Sequence, residues 1–325
     1  MKMFLGIFAT LVIQFTAPVA FAQSTDAEQK AILVTGASTG IGRNIAETLA
    51  AEGHFVYAGA RKQADIDALS AINNIQGIRL DVTVQEEIDA AVEAVTKEGR
   101  GLYGLVNNAG VSVAGPMIEM TEDDMQFQMD VNLFGPYRVT KAFAPLIIES
   151  KGRITTTGSI AGVLSGFFSG PYGMSKHAME AFTDALSAEM QRFDVQVSVV
   201  QPGNFNSQIS NSRIERLLEK GETGEGSLYR DDIEAMRNDP RDRSRFKDPD
   251  DVAAAVLHAM FDERPKQRYL VVPVEEEARI TMFVGMLKLM QMNDEQQFSY
   301  SRDELVEILD EAIGAAAARQ PPPGE

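Results

Sequence analysis

Between residues 31 and 272, short apolar runs alternate with longer stretches whose apolar positions recur every three to four residues. The short runs predict strands at 31–35, 54–59, 76–80, 102–107, 153–157, 195–201 and 269–272. The longer stretches predict helices at 41–52, 84–97, 122–150, 172–192 and 250–261. Strand followed by helix in regular succession implies parallel pairing. The expected fold class is therefore α/β, one doubly wound sheet of seven parallel strands with helices on both faces. Two stretches break the alternation. Residues 204–247 are long and charged, helical in patches at 213–220 and 231–237, and leave the sheet just past a strand's carboxyl end. Ligands of open α/β sheets bind outside those ends, which makes this segment a candidate lid. Beyond residue 273 a helix places Ile280, Phe283, Leu287 and Met290 on one stripe, followed by a helical stretch at 302–319 and a tail at 320–325. That stripe is expected to meet the core or another subunit. The chain thus divides into residues 1–22, a main domain at 30–273 and a helical extension at 274–325.

The first 22 residues differ from the rest. Lys2 precedes an uncharged run from Phe4 to Ala22, which ends Ala20-Phe21-Ala22 ahead of Gln23. This is the pattern of a secretory signal peptide with an A-x-A cleavage site. At roughly 20 residues the run is also long enough to cross a bilayer as an uncleaved anchor. The expected location is accordingly exported (periplasmic) or membrane-attached, with attachment along the cytoplasmic interface a third arrangement. Elsewhere composition mainly excludes. A formal net charge of −17 and a pI near 4.7 repel nucleic acid and anionic lipid. Without Cys the chain has no disulfides, thiol nucleophiles or Cys-based metal sites, and His54, His177 and His258 lack ligand spacing, so no metal is expected.

Directly after the first predicted strand comes Thr35-Gly36-Ala37-Ser38-Thr39-Gly40-Ile41-Gly42, opening a helix. Glycines at this spacing let the backbone turn tightly and approach a pyrophosphate, whose charge the helix N-terminus meets. The context is that of a Rossmann-type dinucleotide site. Asn107-Asn108-Ala109-Gly110 ends the fourth strand, and Asp81-Val82 ends the third, where a carboxylate can accept from an adenine amino group. The second strand ends Ala58-Gly59-Ala60-Arg61-Lys62, with two cations and no carboxylate. An acidic residue there suits the ribose hydroxyls of NAD and an arginine suits the extra phosphate of NADP, so NADP is expected, with NAD as second choice.

Tyr172-Gly173-Met174-Ser175-Lys176 starts a predicted helix, and a separation of four residues puts Tyr172 and Lys176 on one face. A cation beside a phenol favours the phenolate, which makes Tyr172 a usable acid/base. Ser159 follows the fifth strand at its carboxyl end, where its hydroxyl can donate to a substrate oxygen while Tyr172 transfers the proton.

From about Lys30 to Val272 the chain resembles the short-chain dehydrogenase/reductase family. The resemblance rests on T-G-x-x-x-G-x-G at Thr35 to Gly42, N-N-A-G at Asn107 to Gly110 and Y-x-x-x-K at Tyr172 to Lys176. It implies Tyr172 as acid/base, Lys176 lowering its pKa and holding the nicotinamide ribose, Ser159 polarising a carbonyl, and Asn132 supporting a proton-relay water. It further implies Pro202 and Gly203 beside the nicotinamide and Ser207 in the place of a threonine that binds the carboxamide. A basic residue found in some members at the position of Thr39 is absent, which leaves Arg61 and Lys62 to carry NADP preference. Stretches around 56–61, 170–176 and 202–205 are similar to retinol, hydroxysteroid and 3-hydroxybutyrate dehydrogenases. The implied partner is thus a small-molecule ketone, aldehyde or secondary alcohol with lipophilic character, and the implied assembly a homodimer or homotetramer packed through the helices at 122–150 and 172–192. Val163, Leu164, Phe167, Phe168 and Phe205 are candidates for an apolar substrate wall. The alternative is a dinucleotide-binding sensor or scaffold without turnover, which an export signal favours because reduced cofactor is normally an intracellular pool. An epimerase or dehydratase is disfavoured by the lack of a sizeable second domain.

Overall fold

A computed structural model describes residues 29–239 and 242–318. The expected N-terminal signal or anchor and the tail at 320–325 lie outside the described residues. The strands are β1 (Ala31–Val34), β2 (Phe55–Ala60), β3 (Ile75–Arg79), β4 (Gly104–Asn107), β5 (Arg153–Thr157), β6 (Gln196–Pro202) and β7 (Arg268–Val271). All pair in parallel, in the order β3-β2-β1-β4-β5-β6-β7. The order reverses between β1 and β4, and the crevice at their carboxyl ends is where such sheets bind ligands.

The helices are α1 (Gly40–Ala51), α2 (Gln63–Ser70), α3 (Gln85–Glu98), α4 (Glu122–Met129), α5 (Gly135–Glu149), α6 (Gly170–Met190), α7 (Ile209–Glu219), α8 (Arg230–Arg237), α9 (Asp250–Phe261), α10 (Glu275–Asn293) and α11 (Arg302–Ala318). Alternation of side chains along each strand feeds two cores. On one face Ile32, Val34 and Val56 pack with Ile45 and Leu49 of α1 and Val256 and Met260 of α9. On the other, Leu33, Tyr57 and Leu105 pack with Ile88 of α3 and Val139 and Phe143 of α5. Burial on both faces is why the strands read as nearly continuous apolar runs.

The structure departs from the sequence expectation at two places and narrows it at a third. The single helix expected over 122–150 is broken by a π-helical turn, Asp130–Phe134, which re-aims Asn132. The short helix α2, with only Ile66 and Leu69 buried, was not anticipated. On α10, Ile280, Phe283, Leu287 and Met290 are 42–56% exposed, so the stripe does not enter the chain's own core. No described helix is long and apolar enough to cross a membrane.

Candidate active site

The loop from β1 to α1 turns at Gly36 (φ +65°) and Gly40 (φ +56°), both in the left-handed region that side chains disfavour. Gly42 is demanded by crowding instead, since a β-carbon there would stand 2.2 Å from Asn108 Nδ2 and 2.3 Å from the Gly36 carbonyl oxygen. Asn108 makes that contact tight: its Nδ2 donates to the carbonyls of Thr35 and Gly36. The N–H groups of Asn108 and Ala109 both donate to Thr35 Oγ1 at 3.0 Å, and Thr157 Oγ1 donates to Asn108 Oδ1. Thr35, only 1% exposed, therefore faces this network from behind the loop and does not line the cleft.

Ser38, Gly40, Ile41 and Gly42 line a cleft of about 360 Å³ that runs from Arg61, Asp81 and Val82 past Asn108, Ala109 and Gly110 to Ser159, Tyr172 and Lys176. Pro202, Gly203 and Ser207 close its other wall. At the Arg61 end, Asp81 Oδ1 accepts from the Thr83 N–H (2.9 Å) and hydroxyl (2.6 Å), while Oδ2 lies 3.9 Å from Arg61 Nη1. The Arg61 side chain is 65% exposed and reaches open solvent; Lys62 falls outside the lining. A dinucleotide fits this shape. The glycine loop presents bare backbone to a pyrophosphate at the start of a three-turn helix, a cation waits at the adenosine end, and polar hydroxyls wait at the nicotinamide end.

At that far end, Ser159 Oγ accepts from the Ala161 N–H at 3.1 Å, and its hydroxyl hydrogen is directed to the Tyr172 side. Lys176 is buried; its Nζ donates to the Thr157 carbonyl at 2.7 Å and lies 5.7 Å from the centre of the Tyr172 ring. Burial pulls the Lys176 ammonium down to about 8, with the charge of Glu180 opposing. Burial likewise pushes the Tyr172 phenol above its ordinary value, and a hydrogen bond with Ser159 opposes that shift. The shift is thus upward, opposite in direction to the lowering expected from the Tyr172–Lys176 spacing. Asn132 sits behind the cleft, not in it. Its Oδ1 accepts from the Val111 N–H (2.8 Å) while Nδ2 donates to the Val111 carbonyl (2.9 Å) and to Ser175 Oγ (3.1 Å). The π turn lets one side chain fix both the β4 loop and the helix that carries Tyr172.

Several positioning contacts were not anticipated. Asp124 of α4, buried, accepts from Arg216 of α7 and from Lys220 just past its end and so clamps α7 to the opposite rim. Burial pushes its carboxyl up, but the hydrogen bonds from Lys220, Thr121 and Arg216 win and hold it below the ordinary value. From α10, Glu277 accepts from the N–H and the side-chain amide of Asn204, and Lys288 donates to the Val163 carbonyl just past Ser159 and lies 3.1 Å from His177 Nε2. The cationic stripe Arg213, Arg216 and Lys220 was the legible hint of the first contact; nothing local announces the others. Of the five residues offered as an apolar wall, none lines this cleft, and Phe168 lines a second cavity beside it. Phe205 is 1% exposed in the α1–α9 core, and Phe167 is 69% exposed, stacked on Phe168. Among the described residues no cluster of His, Asp or Glu is arranged to hold a metal.

Residues 30–217 match the family model described as short chain dehydrogenase. The chain belongs to the short-chain dehydrogenase/reductase family, and is an NAD(P)-dependent oxidoreductase acting on hydroxyl or keto groups. It is 34% identical over 262 residues to the mitochondrial D-beta-hydroxybutyrate dehydrogenase of Bos taurus, covering 74% of this chain and 76% of that protein. Against the 3-ketodihydrosphingosine reductase of Bacteroides thetaiotaomicron it is 31% identical over 245 residues, covering 75% and 88%. Among solved structures, a short-chain dehydrogenase from Streptomyces avermitilis superposes with a TM-score of 0.64 at 27% identity, over 88% of this chain and 98% of that one.

Proposed function

We propose that the chain is an NADP-preferring reductase of a ketone or aldehyde with an apolar body, working in the reverse sense on the corresponding secondary alcohol. The observation that carries this reading is the convergence of the Ser159 and Tyr172 hydroxyls on one spot in the cleft that begins at the glycine loop. When bound there, a reduced nicotinamide dinucleotide supplies the hydride. Ser159 donates its hydrogen bond to the substrate oxygen, and Tyr172 delivers the proton to that oxygen as its negative charge develops. The phenol is protonated at neutral pH, the form that transfer of a proton to the substrate oxygen requires, while the upward push of burial works against that transfer and the hydrogen bond with Ser159 eases it. Lys176, held by the Thr157 carbonyl, keeps a positive charge against the Tyr172 ring below pH 8. Asn132 sets the backbone around both.

The test is oxidation of NADPH against ketones, aldehydes, steroids and retinoids by the wild type and Tyr172→Phe. Turnover abolished by the substitution supports the reading; cofactor binding without turnover on any compound favours the sensor instead. NADP preference rests on Arg61, exposed at the adenosine end with no carboxylate closing β2. Arg61→Asp is expected to move the ratio of catalytic efficiencies toward NAD, and an unchanged ratio overturns the assignment. Export or membrane attachment through residues 1–22 is proposed from their composition alone, and N-terminal sequencing that starts at Gln23 would establish cleavage. Self-association through α5 and α6 is supported by Phe134, Tyr137 and Met174, each more than 40% exposed; sedimentation as a monomer at micromolar concentration would refute it.

A further inference from the structure

A second cavity, of about 350 Å³, lies beside the catalytic cleft. The cleft uses the start of α7, at Ile209 and Ser212, and the cavity uses its later turns, at Arg213, Arg216 and Leu217, with Lys220 just past its end. The loop after β4 is shared the same way, with Val111 in the first and Val113 in the second. Much of the cavity wall is apolar, including Val113, Ala114, Phe168, Leu217 and Ile233.

Its charged side chains are unequally engaged. Asp124 is committed to Arg216 and Lys220. Glu119 accepts from the Ser227 hydroxyl and the Leu228 N–H, and Glu222 and Glu225 are exposed at the rim. Arg213 is left over: its Nε is buried and has no hydrogen-bond partner. Burial pulls the guanidinium below its ordinary value, with the charge of Asp239 opposing. A buried donor without an acceptor is unfavourable, and a guanidinium on an apolar wall is matched by a single planar anion.

We propose that this cavity is the distal part of the substrate site, and that Arg213 receives a carboxylate at the end of an apolar chain whose carbonyl or hydroxyl carbon lies at Tyr172. The preferred substrate is then an oxo acid or hydroxy acid. This assignment rests on the oxidoreductase reading above and adds the chemistry of the substrate's far end.

The experiment compares kcat/KM for levulinate and 7-oxooctanoate with the values for their methyl esters, in the wild type, Arg213→Gln and Arg213→Lys. At least one acid is expected to exceed its ester by tenfold or more in the wild type. Arg213→Gln should collapse that ratio by at least tenfold, and Arg213→Lys should recover part of it. A wild-type ratio near one, or a ratio unchanged in Arg213→Gln, overturns the proposal while leaving the oxidoreductase reading intact. If no carbonyl compound is turned over, the reductase reading is what has failed, and binding then judges the subsite. Octanoate should raise the Tm of the wild type and not that of Arg213→Gln, and octanol should raise neither. Octanoate that stabilises both proteins, or neither, overturns the proposal.

Discussion

At the glycine-loop end of the cleft the walls are backbone. Two left-handed glycines and a third with no room for a β-carbon are braced from behind by Thr35 and Asn108, so contact distance is set by chain geometry. At the opposite end the walls are side chains, held in place by partners far away in the sequence: Asp124 to Arg216 and Lys220, Glu277 to Asn204, Lys288 to Val163. The first arrangement suits a ligand that is the same in every reaction. The second lets the substrate end change by exchanging a few long side chains without disturbing the sheet. Between the two lies the reacting pair, Tyr172 and Lys176, which depends on both.

The comparison can be broken first at that junction. Lys176→Met should lower turnover by about 10² to 10⁴-fold, yet the folded protein should not lose stability. In the wild type the buried ammonium has a pKa of about 8, against 10.5 for a free lysine, so below pH 8 the folded state carries the strain of a buried charge. That penalty is relieved as pH rises from 8 toward 10.5, where the unfolded chain still holds the proton that the native one has released. Denaturant unfolding of both proteins at pH 7 and pH 9.5 should show the wild type gaining on the variant at the higher pH, and no relative gain would contradict the assignment of charge. Next in size, Gly42→Val should weaken dinucleotide binding at least tenfold in a fluorescence titration, because the new side chain meets Asn108 and the Gly36 carbonyl. Unaltered affinity would mean that the loop yields more easily than its bracing suggests. The smallest effect is expected from Asp124→Ala, which unpairs two cations at the substrate end. KM for the carbonyl compound should rise a few-fold with kcat and cofactor affinity little changed. A loss of cofactor affinity would show that the two ends are not independent.

How much of this was legible follows the same division. The glycine loop, the second-strand cation and the Tyr172–Lys176 pair could be read because each is a local pattern tied to one strand end. The upward push of burial on the Tyr172 phenol could not be read, since burial is a property of the surrounding packing and not of a four-residue spacing. The π turn at Asn132 escaped notice because a single inserted residue hardly changes the apolar periodicity over 122–150. Phe205 is a candidate for an apolar substrate wall on its apolar character alone, which does not distinguish a cleft from the α1–α9 core where it is buried. Arg213 and Lys288 are ordinary helical cations in sequence, and only the fold shows what each one faces.

The two contacts made by α10 also bear on the order in which a working enzyme can come into being. The seven strands are complete once residue 271 has been added, but Glu277 and Lys288 reach back to Asn204 and to the turn after Ser159. A ribosome that has finished the sheet has therefore not finished the site. The loops on either side of the reacting carbon receive these hydrogen bonds from a helix that emerges after the sheet is complete, so the nascent chain can form its sheet before it can catalyse.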